Sequence, residues 1–327
     1  MAKLKDKIKT TLDEGRVLIL GAQVLLGFKF RSVLEKGFEE LPDHAQYLHL
    51  GGLGLMLLAV ALLISPGAFH QIVNEGEDSE DLHRFATGVM CVALLPFALG
   101  IGVDIFVATE KVAGPAPGIM TGVAASLVAL FFWYGWEVLV RPEREPRIKE
   151  KQAMEDEKDE AKDEEQGTPV KDKIKQVLTE IRVVLPGAQA LLGFQFAGML
   201  TEGFEKLPAS SKYVHLVSLG LMALSIILMM TPAAYHRLVE RGEDTERMHA
   251  ITSRMLLASM IPLALGICGD LFIVIRKVTE SFIISSIMAA VALCFFYGLW
   301  FGFTLYCRSR QRSEGGKQSS AILKGTT

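Results

Sequence analysis

The feature that most limits what this chain can become is the recurrence of long apolar stretches, at residues 17–30, 47–64, 85–109 and 118–140 in its first part alone. A helix of ~20 apolar residues spans the ~30 Å hydrocarbon core of a bilayer. Half of the residues are apolar and the mean hydropathy is +0.32, yet 22% are charged. These values coexist only because charge and apolarity are segregated along the chain. The sequence therefore reads as an all-α, polytopic membrane helical bundle, and a single-core soluble domain is excluded. The net charge of −3 gives no case for nucleic-acid binding.

The chain is also a duplication. Shifted by 166 residues, 5–112 aligns with 171–278 without a gap, and 50 of those 108 positions are identical. Gly21-Ala-Gln-Val-Leu-Leu-Gly-Phe-Lys-Phe returns as Gly187-Ala-Gln-Ala-Leu-Leu-Gly-Phe-Gln-Phe, and Gly76-Glu-Asp-Ser-Glu returns as Gly242-Glu-Asp-Thr-Glu. Each half offers four candidate spans: 16–34, 47–66, 85–109 and 118–140, then 182–200, 213–232, 251–275 and 283–306. The organisation expected is a first four-helix repeat over 1–142, a charged linker over 143–170, a second repeat over 171–308 and a flexible tail over 309–327. The linker is rich in Glu, Asp, Lys and Pro and cannot bury enough apolar surface to fold alone.

Orientation follows from Lys and Arg placement. With a cytoplasmic N-terminus, 26 of the 34 Lys and Arg residues fall on the cytoplasmic side. Both termini are then cytoplasmic, and two repeats of four spans point the same way, related by an axis along the membrane normal. The N-terminus is basic but lacks a small-residue cleavage site after the first apolar run, which argues against a removable signal peptide. The four cysteines lie in or beside apolar runs without CxxC spacing and read as small packing groups.

Ionisable and polar groups inside spans are costly, so each is a candidate for function. Glu14 and Arg16, repeated as Glu180 and Arg182, open the first spans at the inner face, and His70 and His236 follow the prolines that end the second spans. These groups can meet in one layer, with Glu–Arg pairing and His as a titratable neighbour; the plainer alternative is a set of interfacial anchors. Asp104 stands ~30 Å along its helix from Arg84, and Asp270 ~24 Å from Arg254, at 1.5 Å per residue. Lys29 lies at the depth of Asp104, but Gln195 occupies the matching place opposite Asp270. Asp270 without a cation is the better proton carrier of the two, unless both carboxylates merely tie helices together. Gln23 and Gln189 sit near mid-span among glycines, where an amide can bond across a close helix contact. No Asp, Glu, Lys or Arg lies at the midpoint of any span, which weakens an ion-coupled antiporter reading. There is no Walker loop, HExxH or GxSxG, and the histidines His83 and His249 are too few and irregular for a metal site, so no enzyme, cofactor or metal is expected.

The stretch from Arg16 through Gly21-Ala-Gln to Phe28, the segment Thr231-Pro-Ala-Ala-Tyr-His-Arg and the Gly-Glu-Asp loop resemble a family of short bacterial membrane proteins of unknown function. Members have about half this length, and many carry the label sodium:proton antiporter, so the chain looks like two members fused. The resemblance implies a bacterial cytoplasmic membrane and transport of protons or monovalent cations. The first repeat departs from it with Phe69-His70-Gln71. The functional expectation is a proton-linked monovalent-cation transporter or channel-like protein, with His70, His236, Glu14 and Glu180 lining an inner vestibule and Asp104 and Asp270 an outer one. The alternative is a non-transporting structural, stress-related or partner-binding membrane protein. The bilayer is the one partner the sequence demands, and association into homo-oligomers is left open.

Overall fold

The computed structural model describes residues 4–135, 169–238 and 245–311. Residues 136–168, the tail beyond 311 and the side chains of Glu14 and His236 lie outside what is described.

Every regular element among the described residues is helical. In chain order these are α1 (Leu4–Ser32), the single turn α2 (Lys36–Glu39), α3 (Asp43–Ile72), α4 (Glu80–Ala113) and α5 (Pro115–Leu130), which runs into a π-helical turn at Phe131–Gly135. The second repeat gives α6 (Val170–Met199), the turn α7 (Glu202–Glu205), α8 (Ala209–Leu238), α9 (Glu246–Thr279) and α10 (Phe282–Tyr297), again followed by a π-helical turn, Gly298–Phe303. Among the described residues, seven helices are long and apolar enough to cross a membrane. The expected eighth is α1, a long helix that is not among those seven and carries Arg16, Lys29 and Arg31 along its length.

The boundaries follow local chemistry. Ser79 and Thr245, equivalent positions, cap α4 and α9 by accepting from the amides of Leu82 and Met248, each at 3.1 Å. Such caps satisfy amide donors that an α-helix leaves unpaired at its start. Helix α6 begins at Val170, well before the expected start at Arg182. The reason is that Ile174, Val177, Ile181, Val184 and Ala188 recur at helical spacing and are buried, so the charged Lys171-Asp-Lys segment is carried into the bundle by an apolar stripe. Helix α3 likewise continues past Pro66, where the sequence suggested an end. Proline cannot donate to the carbonyl four residues back, that of Leu62; the Ser65 hydroxyl donates to it instead at 2.7 Å.

Helices α1 and α6, the first of each repeat, pack against one another at the centre. Within the first repeat α1 touches α3 and α4, and α4 touches α5; within the second α6 touches α8 and α9, and α9 touches α10. Lipid tails are as apolar as leucine, so helix association in a bilayer rests on close packing more than on burial. Glycines supply the approach: a Cβ added to Gly122 of α5 would lie 2.7 Å from the Gly102 carbonyl oxygen of α4. The repeats also interlock. Trp300, fully buried in the π-helical turn after α10, donates its indole N–H to the Ala61 carbonyl of α3 at 2.8 Å.

Candidate functional site

Polar side chains gather at the two ends of this bundle and are sparse between them. At 1.5 Å per residue, His49 and His70 stand roughly 32 Å apart along α3, and His249 and Asp270 are equally far apart along α9.

At one end, His70 and Gln71 from the last turn of α3 meet Glu180 of α6. His70 is fully buried and Glu180 is 3% exposed; Nδ1 of the imidazole is hydrogen-bonded to Glu180 Oε1. Gln71 donates its amide to the other carboxylate oxygen, Oε2, at 2.7 Å. Ser253 of α9 donates to Gln71 Oε1 at 2.6 Å, and its hydroxyl lies 3.4 Å from His249 Nε2. The cluster therefore draws on both repeats: the imidazole and amide come from the first, the carboxylate and hydroxyl from the second. Because a carboxylate only accepts, His70 Nδ1 carries the hydrogen, and Nε2 is left without a partner among the described residues. Glu180 and Thr11 also line a cavity of about 40 Å³ between α1, α3 and α6, walled otherwise by apolar groups such as Leu63, Val183 and Met260. That volume is enough for ordered water.

The expected pairing of Glu180 with Arg182 is not among the contacts of the described residues, and the side chain of Glu14, expected beside Arg16, lies outside them. Arg16 and Arg182 are exposed. Arg182 stands two residues beyond Glu180, which at 100° per residue turns it onto the opposite side of α6. The sequence also gave no role to Gln71, except as a departure from a motif, or to Ser253. Their signal is positional, since Gln71 adjoins His70 and Ser253 lies one turn beyond His249.

At the other end each repeat builds a carboxylate site between its first and third long helices. In the first, Lys29 of α1 donates to Asp104 Oδ1 of α4 at 2.5 Å, with Lys29 only 3% exposed and Asp104 31%. In the second, Gln195 of α6 donates to Asp270 Oδ2 of α9 at 2.6 Å, and Asp270 is buried. A histidine flanks each pair in the same way. His49 Nε2 lies 3.2 Å from the Lys29 carbonyl, and His215 Nε2 lies 3.1 Å from the Gln195 carbonyl. A carbonyl can only accept, so Nε2 is the protonated nitrogen in both rings. In the second repeat this aims Nδ1 at Asp270 Oδ1, 3.8 Å away. The unprotonated nitrogen and the carboxylate are both acceptors, so a proton on either one converts a repulsion into an attraction.

Between the ends lies Gln23, fully buried against Gly187 where α1 crosses α6, with neither amide atom hydrogen-bonded. A Cβ on Gly187 would collide with its side chain. Gln189, its counterpart, is exposed, so the two glutamines do not form a matched pair across the contact. Outside the spans, Glu39, the last residue of α2, receives Lys206 at 2.8 Å and Lys277 at 2.6 Å, both from the second repeat. These two ammonium groups hold its carboxyl far below the usual carboxylate range, at about 2, and Glu39 in turn raises Lys206. Among the described residues no group of three or more His, Cys, Asp or Glu side chains converges as a metal site would require.

Long apolar helices with buried ionisable pairs near both ends define a multi-pass helical membrane protein. The model of DUF6328, a family of unknown function, matches residues 2–137 and again 163–304, and the chain belongs to this family as two tandem copies of its unit. No curated protein and no solved structure matches the chain. The family's function being unknown, the match lends no support to the antiporter label carried by the sequence resemblance.

Proposed function

We propose that the protein is an eight-span transporter that moves protons, linked to a monovalent cation, with both termini in the cytoplasm and its two repeats oriented alike. The observation that carries this reading is the buried pair of titratable side chains His70 and Glu180, which joins the two repeats. Buried ionisable residues in membrane bundles are costly, and proton relays are among the uses that repay them. Contacts at both ends favour a like orientation: Glu39 meets Lys206 and Lys277 at one end, and Gln176 donates to Asp78 at 2.5 Å at the other. Each contact joins parts of the two repeats that a like orientation places on the same side of the membrane.

On this reading Glu180 and His70 hold the proton at the cytoplasmic end, reached through the cavity beside Thr11. Asp270 and His215 hold it at the outer end. Lys29 makes Asp104 an internal ion pair, so the first repeat's carboxylate is not a carrier. Purified protein in liposomes under an imposed pH gradient, with an entrapped pH dye and Na⁺ or K⁺ on the opposite side, tests the proposal. The wild type should collapse the gradient in a cation-dependent way. Glu180→Gln and Asp270→Asn should each slow it about tenfold or more, the effect of some 1.4 kcal/mol on a barrier. Absence of any flux would return the chain to a non-transporting, structural or partner-binding role. That second reading is favoured by one observation: among the described residues the middle of the bundle holds Gln23 and no charged side chain.

A further inference from the structure

The two outer carboxylate sites differ in one respect that neither the duplication nor the transport proposal explains. Beside Asp104 the protein surface opens into a cavity of about 450 Å³, whereas the corresponding cavity beside Asp270 measures about 20 Å³. The larger one lies between α1, α3 and α4 under the α2 turn, and its walls include Phe28, Phe38, Leu41 and Val107. Ligand sites of proteins commonly run from 300 to 1,000 Å³, mostly apolar, with a few polar groups that fix orientation.

The arrangement of charge selects the ligand. Lys29 is almost wholly buried, its ammonium tucked towards Gly52 of α3 and spent on Asp104 Oδ1. Asp104 stands in front of it, a third exposed, and its Oδ2 has no protein donor among the described residues. His49 Nε2–H is turned to the Lys29 carbonyl, and the Ser32 hydroxyl donates to that same carbonyl at 2.9 Å. Glu35, at the rim, adds a second carboxylate, paired with Arg31 at 3.0 Å. An occupant of the cavity therefore meets an acceptor and two aromatic rings, with the cation shielded behind. Anions are disfavoured there, and cations gain from both the carboxylate and the ring faces.

We propose that this cavity binds a primary ammonium borne on an apolar body, with the ammonium on Asp104 Oδ2 and the body against Phe28 and Phe38. The site belongs to the first repeat alone. In the second, Gln195 takes Asp270 Oδ2 and the space is closed. The proposal does not depend on transport, because binding is read with no gradient present.

The test is calorimetric titration of the detergent-purified full chain with 2-phenylethylamine, protonated at neutral pH, and with its neutral analogue 2-phenylethanol. The amine should bind, and the alcohol should bind about tenfold more weakly or worse, the loss expected for an unmade charge-assisted bond. Ala108→Trp, which fills the cavity, should abolish amine binding, while Val112→Trp, on a position 87% exposed and outside the cavity, should not. Lys29→Met should strengthen binding, because Asp104 is then no longer shared. Asp104→Asn should weaken it by about tenfold; if that variant fails to fold with Lys29 left unpaired, the Trp variants and the amine–alcohol comparison still decide. Equal binding of amine and alcohol, indifference to Ala108→Trp, or weakening by Lys29→Met would each overturn the proposal. Repeating the titration with phosphatidylethanolamine or phosphatidylcholine added to the micelles identifies the source: competition by the first alone marks the ligand as a lipid headgroup, and competition by neither marks it as a free amine.

Discussion

Replacing His70 by leucine offers the most direct measure of what the buried pair does. The substitution leaves Glu180, only 3% exposed, with the Gln71 amide as its remaining partner. Removing one member of a buried ion pair costs about 3–5 kcal/mol, because the other charge stays desolvated and uncompensated. Two other magnitudes frame that figure. A hydrogen bond between neutral groups in a membrane bundle is worth on average ~0.6 and at most ~1.7 kcal/mol by double-mutant cycles. Replacing both partners with apolar groups of similar size is often close to neutral. His70→Leu and Glu180→Leu should therefore each destabilise strongly, and the double variant should be less destabilised than either. The assay is reversible unfolding of the protein in mixed micelles across a full cycle of four chains, with the coupling obtained from departure from additivity. A coupling above about 2 kcal/mol, beyond the neutral range, identifies a charged pair. Coupling below about 1 kcal/mol would refute the reasoning and make the contact an ordinary hydrogen bond.

Two further outcomes follow from the contacts between repeats. Glu39, held at about 2 against a usual 4.5, contributes stability that is complete above 4.5 and is lost as the pH falls from there towards 2; an acid titration of bundle stability should show this loss, and Glu39→Gln should remove it. Because Glu39 is exposed, the effect should be small and should fade with added salt. Gly203→Ala should loosen the join between the repeats, since its Cβ would collide with the Leu34 backbone, which cannot swing aside as a side chain can; cross-linking between engineered cysteines on the α2 and α7 turns should fall, and unchanged cross-linking would show that the turns do not pack this way.

Much of this protein could be read along a single coordinate, position in the chain. Hydropathy places a residue at a depth, so the spans, the duplication and the confinement of ionisable groups to the two ends follow from sequence alone. Depth also put Lys29 opposite Asp104 and Gln195 opposite Asp270, because α1 and α4, like α6 and α9, run across the same slab. What hydropathy does not carry is direction around the helix axis and the identity of the neighbouring helix, both of which arise from contacts between distant parts of the chain. Glu180 therefore found His70 of the other repeat instead of the nearby Arg182, and Gln71 and Ser253 joined it unannounced. For the same reason Gln23 lies buried while its twin Gln189 faces outward, and a cavity stands open beside Asp104 but is shut beside Asp270. Similar segments give similar helices, but two copies in one chain do not have identical surroundings. Depth was fixed by sequence, and partnership by packing.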